Sequence, residues 1–472
     1  MLTLKRTTLL LLLTLLLPGP ALGAGLYMAG HGVRGLARGG AFTAGGDDPG
    51  GIWYNPANIG GLDGIHVLVD ASMVLLHMDY TRVDSGGNLL PTVSNEGGVL
   101  PLPTIALATS VLDRRLALGF SFSAPYAPLP GYPAPSYDPC ANPGSPSHCI
   151  DTAHTDSPQR YNLINLDGTL FLQLDLAATY RVIDGLWVGV SLQNLFASFV
   201  TLNSITSYNG ALSSGPEDPD FDSLSQTELV DLFNPSAKFG VIYQPHPMVR
   251  IGASLQLPFW VGGDATVKVQ LPVSPVYEKS SVEGDTADVS ITLPMVLRLG
   301  VEGRPLPNLR VELGFDYERW SVLDAITVKP KDIYILNIPS IDRYKVPDLE
   351  IPLSFRDTFT IRLGGEYTLA PVPLVLRGGF IFERGAVDDA YASVLAMDSD
   401  KYMLTLGLGY TWAGYRMDLL YAHEFRPVRD VDFRDSRSLQ VNPINPTGAV
   451  AVGGGRYEGS SDVLGIGVTK AF

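Results

Sequence analysis

Side chains able to do chemistry are sparse in this 472-residue chain. Its seven histidines are scattered. There is no Gly-x-Ser-x-Gly elbow, no His-Glu-x-x-His pair and no glycine-rich phosphate loop between a strand and a helix, so the common hydrolytic, zinc-peptidase and nucleotide chemistries find no foothold. No enzyme, cofactor or metal is expected. The two cysteines, Cys140 and Cys149, sit in a proline-rich stretch. In an oxidising compartment they read as a disulfide, and closing so short a loop stabilises it by about 2.5 to 3 kcal/mol in the chain-entropy model. A metal site using His148, Asp151 and His154 alongside them is the other reading, but the spacing matches no zinc pattern. The densest set of charges lies in the second half: Arg298, Glu302, Arg310, Glu312, Asp316, Glu318, Arg362, Glu366, Arg377, Glu383, Arg416, Asp418 and Glu424. Their signs are mixed, which predicts mostly paired ions across a closed interior. Arg298 and Arg362 are the candidates for a surplus guanidinium that meets a ligand carboxylate, whose shape the five-donor fork suits.

The elements that would position these charges have period two. From residue 64 onward, segments of 8 to 15 residues alternate apolar with small or polar side chains, which is the pattern of strands. Tyr402, Leu404, Leu406, Leu408, Tyr410 and Trp412 share one face, apolar in the middle and aromatic at both ends. That is the profile of a face in contact with lipid. Tyr415, Met417, Leu419 and Tyr421 repeat it, with His423 placed on the same outer face near an interface. Fourteen such segments are expected, near 65–79, 103–111, 115–126, 163–182, 186–201, 236–244, 248–260, 289–303, 308–322, 355–369, 373–384, 401–412, 414–426 and 460–472. Short turns alternate with long connections, as in an antiparallel barrel with its turns on the periplasmic side. The fold expected is therefore all-β, a 14-stranded antiparallel transmembrane β-barrel spanning 64–472. A soluble β-sandwich would show a polar outer face instead. Residues 223–232 (SLSQTELVDL) read as a short amphipathic helix in a loop.

Composition agrees with this. Charged residues are 17% and apolar residues 46% of the chain, against about 25% charged in soluble proteins, while disordered chains are poor in apolar residues. A formal net charge of −15 disfavours nucleic acid as a partner. Residues 1–24 read as a signal peptide, with Lys5 and Arg6 ahead of an apolar core spanning Leu9 to Leu17. The destination is thus the outer membrane of a Gram-negative cell. The expected partners there are membrane lipid and lipopolysaccharide, with the barrel-assembly machinery reading the terminal Phe472. The barrel is expected to be a monomer. Between leader and barrel, residues 25–63 are extremely rich in glycine, which suits a segment folded inside a lumen. Asp47, Asp48, Asn55, Pro56 and Ala57 argue for specific local turns in it.

The run Gly39-Gly40-Ala41 through Asp47-Asp48 to Tyr54-Asn55-Pro56-Ala57 resembles the opening of the FadL/TodX family of outer-membrane transporters. Tyr317 to Leu323, Phe355 to Thr360, Leu376 to Phe380 and Asp398 to Tyr402 resemble further family segments in order. The resemblance implies an amino-terminal hatch that plugs the barrel, an outer groove on long loops, an inner apolar pocket and a sideways exit through a kinked third strand. Its implied ligand is a long-chain fatty acid or another hydrophobic small molecule. Pro125, which removes a ladder hydrogen bond, places the kink at Ala124-Pro125. Two departures stand out. Leu26 to His31 lack the family's polar opening, and the hatch wording is also similar to PorV-type barrels, which act as secretion accessories or attachment points.

Overall fold

A computed structural model describes residues 28, 30–84, 86–96, 98–126, 131–132, 157–162, 165–166, 168–208, 215–338, 341–395 and 398–472. The leader 1–24, the Cys140–Cys149 pair and the His148, Asp151, His154 alternative all lie outside the described residues.

Fourteen strands form the wall. They are β1 (Ile65–Arg82), β2 (Leu100–Val111), β3 (Leu116–Tyr126), β4 (Leu170–Ile183), β5 (Leu186–Thr206), β6 (Asp222–His246) and β7 (Val249–Gln256). The second half supplies β8 (Val296–Leu306), β9 (Leu309–Glu318), β10 (Thr358–Leu369), β11 (Leu374–Glu383), β12 (Lys401–Trp412), β13 (Tyr415–Phe425) and β14 (Gly455–Ala471). Each pairs antiparallel with the next, and β14 pairs back onto β1 from His66↔Ala471 to Arg82↔Gly455, which closes the ring. Closure gives every wall strand a partner on both sides, as a sheet in hydrocarbon requires. Outward positions such as Leu404, Leu406 and Leu464 are exposed, whereas their neighbours Met403, Thr405 and Val463 are buried. The turn between β12 and β13 uses Ala413 and Gly414 with φ of 48° and 77°. Two positive φ values in a two-residue hairpin match the right-handed strand twist.

All thirteen charges expected to point inward do so: eleven are buried and Arg310 and Arg416 are half-buried. Three local expectations need correction. Residues 223–232 are not a helix but the first part of β6, because their alternation pairs Leu224 with Ser204 and Thr227 with Thr201 on β5. The expected strand 248–260 breaks at Pro258 and the expected 289–303 breaks at Pro294, each proline lacking the donor a continuous ladder needs. The strands beyond these breaks, Phe259–Gln270 and Thr286–Leu293, leave the wall. They form a side sheet with Ala325–Pro330 and Leu349–Pro352. That sheet grows from the upper half of β6, where Leu224 to Leu229 pair with Gln270 to Ala265. The lower half of β6, from Lys238, pairs with β7 instead. One strand thus serves two sheets.

Candidate functional site

The hatch fills the lumen. Two short helices, α1 (Val33–Ala37) and α2 (Gly51–Tyr54), precede a 3-10 helix over Pro56–Gly61. Wall glycines let this segment lie directly on the barrel: a Cβ at Gly364 would come within 1.7 Å of the Arg38 carbonyl, and one at Gly240 within 2.0 Å of Asn55 Oδ1. The recurring inward glycines are therefore a sequence signal for the plug that alternation alone does not pick up.

Asp47 and Asp48 fasten the hatch to the wall. Arg34 bonds to Asp47, to Asp48 at 3.1 Å and to Glu366 at 2.9 Å, while Arg310 reaches Asp47 at 2.6 Å and Arg416 reaches Asp48 at 2.6 Å. Arg38 donates to Glu302 at 3.1 Å, and Glu312 accepts from the backbone N–H groups of Ala44 and Gly45 at 2.8 Å each. Burial would raise the Asp47 carboxyl, but Arg34, Arg310 and Arg416 outweigh it and hold it well below the usual carboxylate range. Asp48 is lowered in the same way, burial being outweighed by Arg416 and Arg34.

Asn55, Pro56 and Ala57 form the second fastening. Asn55 Nδ2 donates to the carbonyls of Thr43 and Val241 at 3.1 Å and of Ala253 at 3.3 Å, and Oδ1 accepts from the Ala57 N–H at 3.0 Å. The Pro56 carbonyl accepts from Thr179 Oγ1 at 2.6 Å. Lys238 Nζ donates to the Trp53 carbonyl at 2.7 Å. Burial holds the neighbouring His31 imidazole down at about 4, the attraction of Asp175 only partly opposing it, so this ring is neutral near neutral pH. Arg362 binds Asp316 through Nη2 at 2.7 Å and Nε at 2.8 Å, and Arg298 lies over the Trp53 ring at 4.6 Å with Asp316 at 4.0 Å. The two arginines nominated for a ligand carboxylate thus share an aspartate beside the hatch.

An apolar space lies elsewhere, between the upper halves of β5 and β6 and the side sheet. Its cavity volume is about 80 Å³, within a wider space of about 1170 Å³ that includes open solvent. Val267, Val269, Val289, Ile326, Val328 and Ile333 form its aliphatic walls; Thr201, Asn203, Ser223, Ser225 and Thr227 form a polar file on the facing strands. Among the described residues, no Lys, Arg, Asp, Glu or His side chain lines it. Reading the sequence missed this chamber because most of its walls lie in segments taken for loops. The alternation Thr266 to Gln270 is a signal that would have found them.

The ladder between β2 and β3 ends early, at the far end of β3. Pairing of β3 with β2 stops at Thr104↔Ser123, although β2 continues to Leu100 along β1. Opposite β4 the register slips by one residue between Ser123 and Tyr126, a bulge that holds Ala124 and Pro125. Ala124 is buried against Met28, Leu100 and Leu102, and the Met28 N–H of the hatch donates to the Pro125 carbonyl at 3.0 Å. One continuous apolar cluster runs from Tyr126 through Phe171 and Phe199 to the chamber residues Val267, Val289 and Val328.

A closed lipid-facing ring, a lumen plugged by its own amino-terminal segment and an apolar chamber under the long connections define a plugged outer-membrane β-barrel. A family model for the outer membrane protein transport proteins (OMPP1/FadL/TodX) matches residues 169–472, and the chain belongs to that family. Outer membrane protein P1 of Haemophilus influenzae is 26% identical over 296 residues, covering 57% of this chain; the match spans 60% of that relative's length. The crystal structure of a FadL homologue from Pseudomonas aeruginosa superposes with a TM-score of 0.72 at 16% identity, covering 95% of this chain and all of that one. The toluene transporter TodX of Pseudomonas putida gives 0.61 at 15% identity, with 94% and 99% covered. At such identities these likenesses concern the fold. The protein is accordingly an outer-membrane β-barrel.

Proposed function

We propose that this barrel passively moves hydrophobic molecules, long-chain fatty acids or other apolar compounds, from the cell exterior into the outer membrane. The molecule enters the chamber beneath the side sheet and leaves sideways at Ala124-Pro125. The observation that carries this reading is the apolar cluster that runs from the chamber to Tyr126, the residue after Pro125, since a greasy solute gains nothing from a water-filled pore. One structural neighbour is a toluene transporter and the family is one of outer-membrane transport proteins, which supports the same class.

The test is uptake of labelled oleate, and in parallel of labelled toluene, by Gram-negative cells lacking their own transporter. Faster uptake of either with the barrel present supports the proposal, and no gain for either from a correctly folded barrel refutes it. Ala124→Trp, which crowds the exit but not the chamber, is expected to cut uptake at least about tenfold while equilibrium binding to the purified barrel changes less than about twofold, a difference of under ~0.5 kcal/mol. Equal losses in both would place the block at binding instead of exit. Asn55→Ala removes a buried amide with three acceptors, so it should destabilise hatch docking by about 1 to 3 kcal/mol and lower uptake without preventing barrel assembly. Unchanged uptake at equal surface level would remove that role.

A further inference from the structure

The chamber is amphipathic in an ordered way. Ser223, Ser225 and Thr227 occupy alternate positions on β6 and therefore project to one side as a file about 7 Å apart at each step. Across the ladder, Thr227 pairs with Thr201 and Ser225 with Asn203. Three other polar groups of this wall are already committed: Asn203 Nδ2 donates to the Asn162 carbonyl at 2.8 Å, Thr206 Oγ1 to Pro216 at 3.3 Å and Ser207 Oγ to Phe221 at 2.5 Å. Among the described residues, the hydroxyls of Thr201, Ser223, Ser225 and Thr227 have no protein partner. They can each donate and accept one hydrogen bond inside an otherwise apolar space.

The charge around the chamber is equally ordered. Glu228 and Lys268 lie 3.9 Å apart on the opposite faces of the same strands, and Asp222 at the upper end of β6 is bound by Arg160 at 2.9 Å and by the Tyr161 hydroxyl at 2.9 Å. A carboxylate drawn into the chamber would leave water without a cation to meet it, and burying an unpaired charge is strongly unfavourable. A hydroxyl, ester or amide would meet the file instead.

Resting on the transport reading above, we infer that the chamber selects neutral amphiphiles, hydrophobic molecules bearing uncharged hydrogen-bonding groups such as alcohols, in preference to ionised fatty acids. The file supplies the selectivity and the aliphatic walls supply the affinity.

Three probes of equal chain length separate the possibilities: radiolabelled dodecanol, dodecane and dodecanoate. Each is equilibrated with the purified full chain held in an amphipathic polymer at about pH 8, where the carboxylate is ionised. Dodecanol is expected to bind at least about tenfold tighter than dodecanoate. The triple variant Ser223→Ala, Ser225→Ala, Thr227→Val should weaken dodecanol about tenfold and leave dodecane unchanged, the effect of losing one or two buried hydrogen bonds. Dodecanoate binding as tightly as dodecanol, or an unchanged dodecanol-to-dodecane ratio in the triple variant, overturns the inference while leaving transport intact. If Val328→Trp, which fills the chamber, alters the binding of none of the three probes, the chamber is not the binding site and both readings fall.

Discussion

Val328→Trp is expected to abolish uptake while the barrel still assembles and migrates as a folded, heat-modifiable species. Val328 projects into the chamber from the side sheet, on Ala325–Pro330, which pairs with Thr286–Leu293 and Leu349–Pro352 and with no wall strand. An indole placed there occupies space the solute needs. Overpacking costs about 1 to 3 kcal/mol, and that strain falls on the side sheet and the facing upper parts of β5 and β6, leaving the other wall strands untouched. A fall in uptake of at least about tenfold is expected, equivalent to ~1.4 kcal/mol or more in the limiting step. Uptake within twofold of the parent at equal surface level would mean that solute bypasses the chamber.

Removing one hatch fastener should be nearly as damaging, but to a different property. Arg34 is buried and holds Asp47, Asp48 and Glu366 together, so Arg34→Ala leaves three carboxylates facing one another with fewer cations. Breaking a buried ion pair from one side costs about 3 to 5 kcal/mol, because the remaining charge loses its partner. The hatch is expected to detach at lower urea than in the parent while the wall persists, and cells should admit small hydrophilic dyes that the parent excludes. Acid should mimic the mutation. The Asp47 and Asp48 carboxyls are depressed when docked, so their contribution is complete above the ordinary carboxylate value and is lost as pH falls through their lower docked values. Hatch release on acidification only well below pH ~4 is the expected profile, and release near neutrality would point to other groups.

The wall was legible because lipid imposes a strict rule on each strand. Tyr402 to Trp412 must alternate, must be apolar outward and must end in aromatics, and these residues announce it with no knowledge of their neighbours. The inward charges followed from the same rule. Their partners did not, because Glu366 meets Arg34 across 332 positions of sequence. Arg298 and Arg362 looked like surplus cations in the sequence, yet distant β9 brings Asp316 to both. The chamber was hidden for a related reason: Val267 and Val328 belong to short strands that could as well have been loop hydrophobics. Reading 223–232 as a helix failed because Leu229 and Leu232, three apart, would share one face of a helix, and only pairing with β5 shows the segment to be a strand.

The pairing of β14 with β1 makes the last residues of the chain the keystone of the whole wall. A ribosome-ordered nascent chain cannot complete this cylinder until Gly455–Ala471 has arrived, so a product lacking that stretch carries two raw edges of unpaired backbone. The hatch directly precedes β1 and is therefore tethered to one lip of that seam. In the finished cylinder it is enclosed by that same pairing.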